Sequence, residues 1–114
     1  MPIPETLRAS VDKDLAALCD RKFPLHVRDR VWATYKWRGD SVTLFEWRPL
    51  FDRPQESVDI KVAQFRYEAV RGFWSLFCAD RNGEWHRYDA FPSSKRISDL
   101  LEEVNEDPTG IFWG

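Results

Sequence analysis

Apolar residues near the start of the chain recur at helical spacing. Leu7, Val11, Leu15 and Leu18 are separated by steps of three and four, with Cys19 beside the last, which predicts one face of a helix from about Glu5 to Lys22. Phe23-Pro24 ends it, because proline lacks an amide donor and drives the preceding residue out of the helical region. A short connection over 25–29 leads into a β-branched and aromatic stretch, 30–49, with Arg38-Gly39-Asp40-Ser41 at its centre. That pattern predicts two strands joined at a tight Gly-Asp turn. Pro49 and Pro54 bracket a polar connection, 50–57, that cannot be a central strand.

The third strand, 58–70, changes phase. Val58, Ile60 and Val62 share one parity while Ala63, Phe65, Tyr67 and Ala69 share the other, so a bulge is expected near Val62-Ala63. Arg71-Gly72 turns into strand four, 73–79, and Asp80-Arg81-Asn82-Gly83 turns into strand five, 84–91. Ser93 or Ser94 is expected to cap a second helix, whose Ile97, Leu100, Leu101 and Val104 form an apolar stripe ended by Pro108 and Gly110. The expectation is an α+β fold: an N-terminal helix, a five-stranded antiparallel meander, and a C-terminal helix with an aromatic tail. Residues 1–114 are read as a single domain.

A two-residue turn at Gly39-Asp40 fixes which side chains share a face. One face pairs Val31 with Arg48, Ala33 with Glu46, Tyr35 with Leu44 and Trp37 with Val42; it is mostly apolar and reads as core. The other sets Trp32 opposite Trp47, Thr34 opposite Phe45 and Lys36 opposite Thr43, with Arg38 beside the turn. Rings interleaved with cations have the composition of a stacking platform, on which bases lie flat and phosphates meet basic groups. The same composition also describes structural packing, since aromatic pairs stabilise sheets and Lys and Arg stems cover exposed rings. The terminal Phe112-Trp113 is expected to dock on the domain, and covering this second face is one place for it.

Composition narrows the classes. The 114 residues include 15% aromatic and 32% charged residues, with net charge −2, and hold no apolar run of bilayer length. Residues 1–20 carry −2 and residues 97–114 carry −5, whereas 21–96 holds fifteen basic and ten acidic side chains, +5. A basic middle between acidic ends suits a polyanion or the chain's own acids, and a pI near 5.7 is too low for a dedicated duplex-DNA binder. No signal-peptide pattern opens the chain, and Cys19 and Cys78 form neither a disulfide framework nor a zinc motif, so a cytoplasmic location is expected.

The segments Ser41-Val42-Thr43-Leu44-Phe45-Glu46-Trp47-Arg48-Pro49, Gly83-Glu84-Trp85-His86-Arg87-Tyr88 and Asp107-Pro108-Thr109-Gly110-Ile111-Phe112-Trp113-Gly114 resemble, in this order, an uncharacterised bacterial family of small domains of unknown function. The resemblance implies a stand-alone bacterial domain and transfers no catalytic or binding residue.

Catalytic signals are sparse. His86 is the first candidate, because an imidazole side chain serves as acid or base, and its relation to Cys78 depends on the hairpin between them. A two- or four-residue loop sends the two side chains to opposite faces, whereas a three-residue loop with left-handed Gly83 pairs them directly. Even then no orienting acid or oxyanion site is identifiable, so no catalytic residue is assigned. His26 reads as a loop residue, Arg38-Gly39-Asp40 as turn chemistry, and Glu102, Glu103, Glu106 and Asp107 as a solvated helix end. No metal site, cofactor or membrane partner is expected. The leading expectation is a non-catalytic protein-interaction module, including a homodimer. The alternatives are single-stranded nucleic-acid binding through Trp32, Lys36, Arg38, Phe45, Trp47, Arg48 and Arg87, and an enzyme using His86 with Cys78 or Asp89.

Overall fold

The computed structural model describes residues 3–27 and 30–113. Helix α1 spans Glu5–Lys22 and buries Val11, Leu15 and Leu18, the stripe its periodicity predicts. It starts after Pro4, whose carbonyl accepts the Arg8 amide at 2.9 Å, and it stops at Phe23, held extended (φ −123°, ψ 126°) by the following proline. A single 3₁₀ turn follows at Leu25–Val27, and the end of the expected connection, Arg28-Asp29, lies outside the described residues.

Among the described residues six strands follow: β1 Trp32–Arg38, β2 Ser41–Pro49, β3 Ser57–Glu68, β4 Phe73–Ala79, β5 Trp85–Arg87 and β6 Ser93–Ser94. Helix α2, Ile97–Glu106, comes next. The five longer strands form an antiparallel meander in chain order, and β6 pairs with β4. Trp32 faces Trp47 and Arg38 faces Ser41, the register a two-residue turn requires, with Gly39 at φ +58° in the glycine position of a type II′ hairpin. The bulge also lies where the phase change placed it. Leu44 pairs with Ala63 but Phe45 pairs with Lys61, so Val62 is the extra residue. It keeps Ile60 and Val58 on the same face as Ala63 and Phe65, and turns Lys61 and Asp59 to the other.

Strand five is shorter than expected. Its ladder ends at Arg87, and after Tyr88 donates to the Leu76 carbonyl (3.0 Å) the chain leaves the β4 edge until Ser93 and Ser94 pair with Ser75 and Trp74. Pro92, which has no amide to give the ladder, sits at the return. Neither serine caps α2. Arg96 occupies the cap position without a side-chain capping bond, while the Ser94 hydroxyl donates to Asp99 (2.8 Å) and accepts the Arg96 amide (3.2 Å).

The core lies between one sheet face and both helices. Val42, Leu44, Phe65, Trp74 and Leu76 meet Val11, Leu15 and Leu18 from α1 and Ile97, Leu100, Leu101 and Val104 from α2. Asp12 anchors α1 on β1, accepting the Trp37 indole N–H at 2.6 Å through its carboxylate and the Tyr35 hydroxyl at 3.3 Å through its carbonyl. The tail closes the helical side. Phe112 is buried against Tyr88 (4.8 Å between ring centroids), and the Trp113 indole donates to the Val104 carbonyl (2.9 Å) and meets Phe23 edge-on at 5.9 Å. No described helix is long and apolar enough to cross a membrane.

Candidate functional site

Because both helices and the tail lie on one side of the sheet, the other side faces solvent. The alternation of β1 and β2 delivers Trp32, Lys36, Arg38, Phe45 and Trp47 to this open face, as their spacing predicts. The rings of Trp32 and Trp47 are stacked, 3.9 Å apart and 6° from parallel. Lys36 lies over Phe45 at 5.4 Å and forms an exposed ion pair with Asp59 at 3.4 Å.

Arg87 also reaches the open face. The β4–β5 register pairs it with Phe77, and its guanidinium lies 5.7 Å from that ring. Arg48 does not share this face. It belongs to the parity of Glu46, with which it pairs at 2.8 Å on the helix side of the sheet, so alternation separates it from the platform.

Further members of the open face were not singled out from sequence, among them Lys61, Arg66, Phe77 and Trp85. Lys61 lies over Trp85 at 5.5 Å and donates to the Gly83 carbonyl at 2.8 Å, while Arg66 covers Phe77 at 3.8 Å. The signal for Lys61 was the phase change itself, since a bulge at Val62 returns it to the side of Phe45. For Trp85 and Phe77 the signal was the hairpin register, which has two solutions in sequence.

At the centre of the face a cavity of about 380 Å³ is lined by rings, cations and two neutral polar side chains, Thr43 and Gln64. The Gln64 amide donates to the Thr43 hydroxyl (3.0 Å), and its oxygen accepts from Arg66 Nε (2.6 Å). The acidic residues of α2 lie across the sheet from these cations, so the acidic C-terminal zone does not neutralise the basic face.

His86 resolves differently. The three-residue solution holds: Cys78 faces His86 across the ladder, and Gly83 is left-handed at φ +78°. The two side chains nevertheless form no dyad. The Cys78 thiol donates to the His86 carbonyl (3.5 Å), and burial pushes this thiol upward in pKa, away from the thiolate a nucleophile needs. The exposed His86 ring meets Asp80 at 2.7 Å. That contact, with the amides of Glu84 and Asn82 on the other carboxylate oxygen, holds Asp80 below the usual carboxylate range. Asp80, Glu84 and His86 present ligand atoms within 4.8 Å of one another, a solvent-open set that could hold a divalent ion and that spacing alone did not reveal.

Neither the curated proteins nor the solved structures contain a match to this chain. A family model described as a domain of unknown function matches residues 3–114, the span of the helix, meander, helix and tail described above, and the chain thus belongs to the DUF3024 family.

Proposed function

We propose that the protein is a non-catalytic binding domain whose open sheet face takes single-stranded nucleic acid. The observation that carries this reading is the uncovered face itself: exposed Trp32 and the half-buried rings of Phe45, Trp47, Phe77 and Trp85, interleaved with cations on the side of the sheet that neither helix nor the tail occupies. Four of its cations, Lys36, Lys61, Arg66 and Arg87, rest over its own rings in the free protein. Exposed cation–ring contacts are worth about 0.5–1 kcal/mol, whereas a base stacked on an aromatic ring is worth about 1–3 kcal/mol by alanine substitution. A strand therefore displaces an ammonium from a ring at a net gain, and the freed ammonium meets a phosphate. The reading is set in a reducing cytoplasm, in keeping with two unpaired cysteines.

Fluorescence anisotropy with a labelled single-stranded oligonucleotide, across a salt series, tests it. With three or four of the face's cations on phosphates, log K should fall against log salt with a slope of about −2 to −3. Trp47→Ala should weaken binding by roughly 5- to 150-fold, the affinity equivalent of one lost stack. Binding indifferent to both salt and Trp47 rejects the reading.

A second reading, protein interaction, is favoured by one specific observation. Beyond the bulge, β2 and β3 form an arm on which residues 51–60 are all exposed, including Phe51, Val58 and Ile60. Val31, Pro49, Leu50, Phe51 and Val58 line a groove of about 640 Å³ there. Sedimentation analysis distinguishes the two: a mass that rises with concentration and returns to monomer in Phe51→Ser supports the arm as a contact, and a monomer at every concentration removes a homodimer.

A further inference from the structure

Asp80, Glu84 and His86 gather at the tip of the β4–β5 hairpin. The register that pairs Cys78 with His86 and Ala79 with Trp85 extends one step further, where the Asp80 amide donates to the Glu84 carbonyl at 2.9 Å. Asp80 and Glu84 are therefore directly opposite, and alternation puts His86 on the same side of the ribbon as both. Trp85 and Arg87 have the other parity and belong to the open face.

Carboxylates in directly opposite positions repel and destabilise a ladder. The chain itself compensates only one of these two. Asp80 Oδ1 accepts the amides of Asn82 (2.8 Å) and Glu84 (3.0 Å), which turns Oδ2 toward His86 Nε2 at 2.7 Å. The Glu84 carboxylate makes no hydrogen bond or ion pair among the described residues.

We propose that this cluster binds a divalent transition-metal ion of the zinc, cobalt and nickel class, with Asp80, Glu84 and His86 as its protein ligands. Their ligand atoms lie within 4.8 Å of one another. Two donors bound at about 2.0–2.2 Å and at right angles around one ion are about 3 Å apart, so Asp80 Oδ2 and His86 Nε2 already stand near the spacing of adjacent ligands. The ion takes the place of the proton between them, and the exposed Glu84 side chain rotates onto it. The two turn amides on Oδ1 fix the direction of the ligating oxygen from outside. One imidazole with two carboxylates suits a borderline cation. Calcium takes oxygen ligands, and more of them than this turn offers. An ion here braces the hairpin that presents Trp85, yet none of its ligands belongs to the open face, so this site and the nucleic-acid reading stand or fall separately.

Isothermal titration calorimetry of the metal-free chain with zinc chloride, paired with amide NMR spectra, tests the proposal. The expected result is one ion per chain, with shifts centred on residues 80–86. Loss of an outer partner alone costs a metal site about 10- to 100-fold in affinity, so His86→Ala, which removes a ligand, should weaken zinc binding at least tenfold. Glu84→Gln, at a side chain that bonds nothing else, should weaken it by about tenfold. His26→Ala, at the other histidine, should leave it unchanged. Dispersed spectra of each variant report that the fold is kept.

Absence of saturable zinc binding overturns the site, as does an affinity that survives His86→Ala or Glu84→Gln. Binding lost in His26→Ala overturns it as well and places the ion elsewhere on the chain. Calcium bound as tightly as zinc refutes the assigned class of ion.

Discussion

At position 107 an aspartate occupies left-handed backbone, φ 48°, and its two carboxylate oxygens accept the amides of Phe112 (3.1 Å) and Trp113 (2.9 Å). One side chain thus ends α2 and fastens the tail over the core. Hydrogen bonds to a charged group contribute about 1.5–3 kcal/mol each when buried and less when half-exposed. Asp107→Ala should therefore cost about 2 kcal/mol in urea unfolding, and Asp107→Asn, which tolerates the same backbone and keeps one acceptor, should recover part of it. Cys19 is governed by burial instead, with Asp20 adding to it, and its thiol is pushed up to about 11. At pH 8 only about one thiol in a thousand is ionised, so iodoacetamide should label it slowly until the pH approaches that value. Asp80 shifts the other way, held down first by His86. The stabilisation from this contact is present above the carboxylate's unfolded pKa and is lost as pH falls through the lower folded one. An NMR titration should place the Asp80 midpoint below an ordinary aspartate, and His86→Ala should move it back up.

Among the elements, those with an unambiguous period or turn were legible. The first hairpin follows from Gly39-Asp40, because a two-residue turn leaves one register, and the bulge follows from the parity change between Val62 and Ala63. Five of the seven residues picked for the platform share its face with no further assumption; Arg87 needed a particular hairpin loop. Arg48 lies on the opposite face, where its parity with Glu46 puts it. The β4–β5 register was open because loops of two, three and four residues all suit Asp80-Arg81-Asn82-Gly83, and only the left-handed Gly83 decides. Periodicity also could not show where strand five leaves its neighbour, since this depends on the path of the chain around Pro92. A Cβ at Gly83 would meet only the Lys61 side chain, at 3.7 Å, so the cost of substitution lies in backbone strain. Gly83→Ala should lower stability by about 1–2 kcal/mol, and Gly83→Asn by less, in denaturant titrations.

For the molecule as a whole, the sheet separates two electrostatic environments. Asp99, Glu102, Glu103 and Glu106 belong to α2 on one side, and Lys36, Arg38, Lys61, Arg66 and Arg87 to the open face on the other. Facing charges of opposite sign on separate copies attract at low ionic strength, where the Debye length reaches about 30 Å, and are screened at about 8 Å in physiological salt. Small-angle scattering should show weak association near 10 mM salt that vanishes by 150 mM, whereas an apolar contact through the arm would persist. The stacked indoles of Trp32 and Trp47 carry a consequence of another kind. Two identical chromophores held nearly parallel at 3.9 Å couple their electronic transitions, so the exposed platform has an intrinsic circular-dichroism signature. Replacing either tryptophan should erase that signature, and anything that slips between the rings should change it without a label.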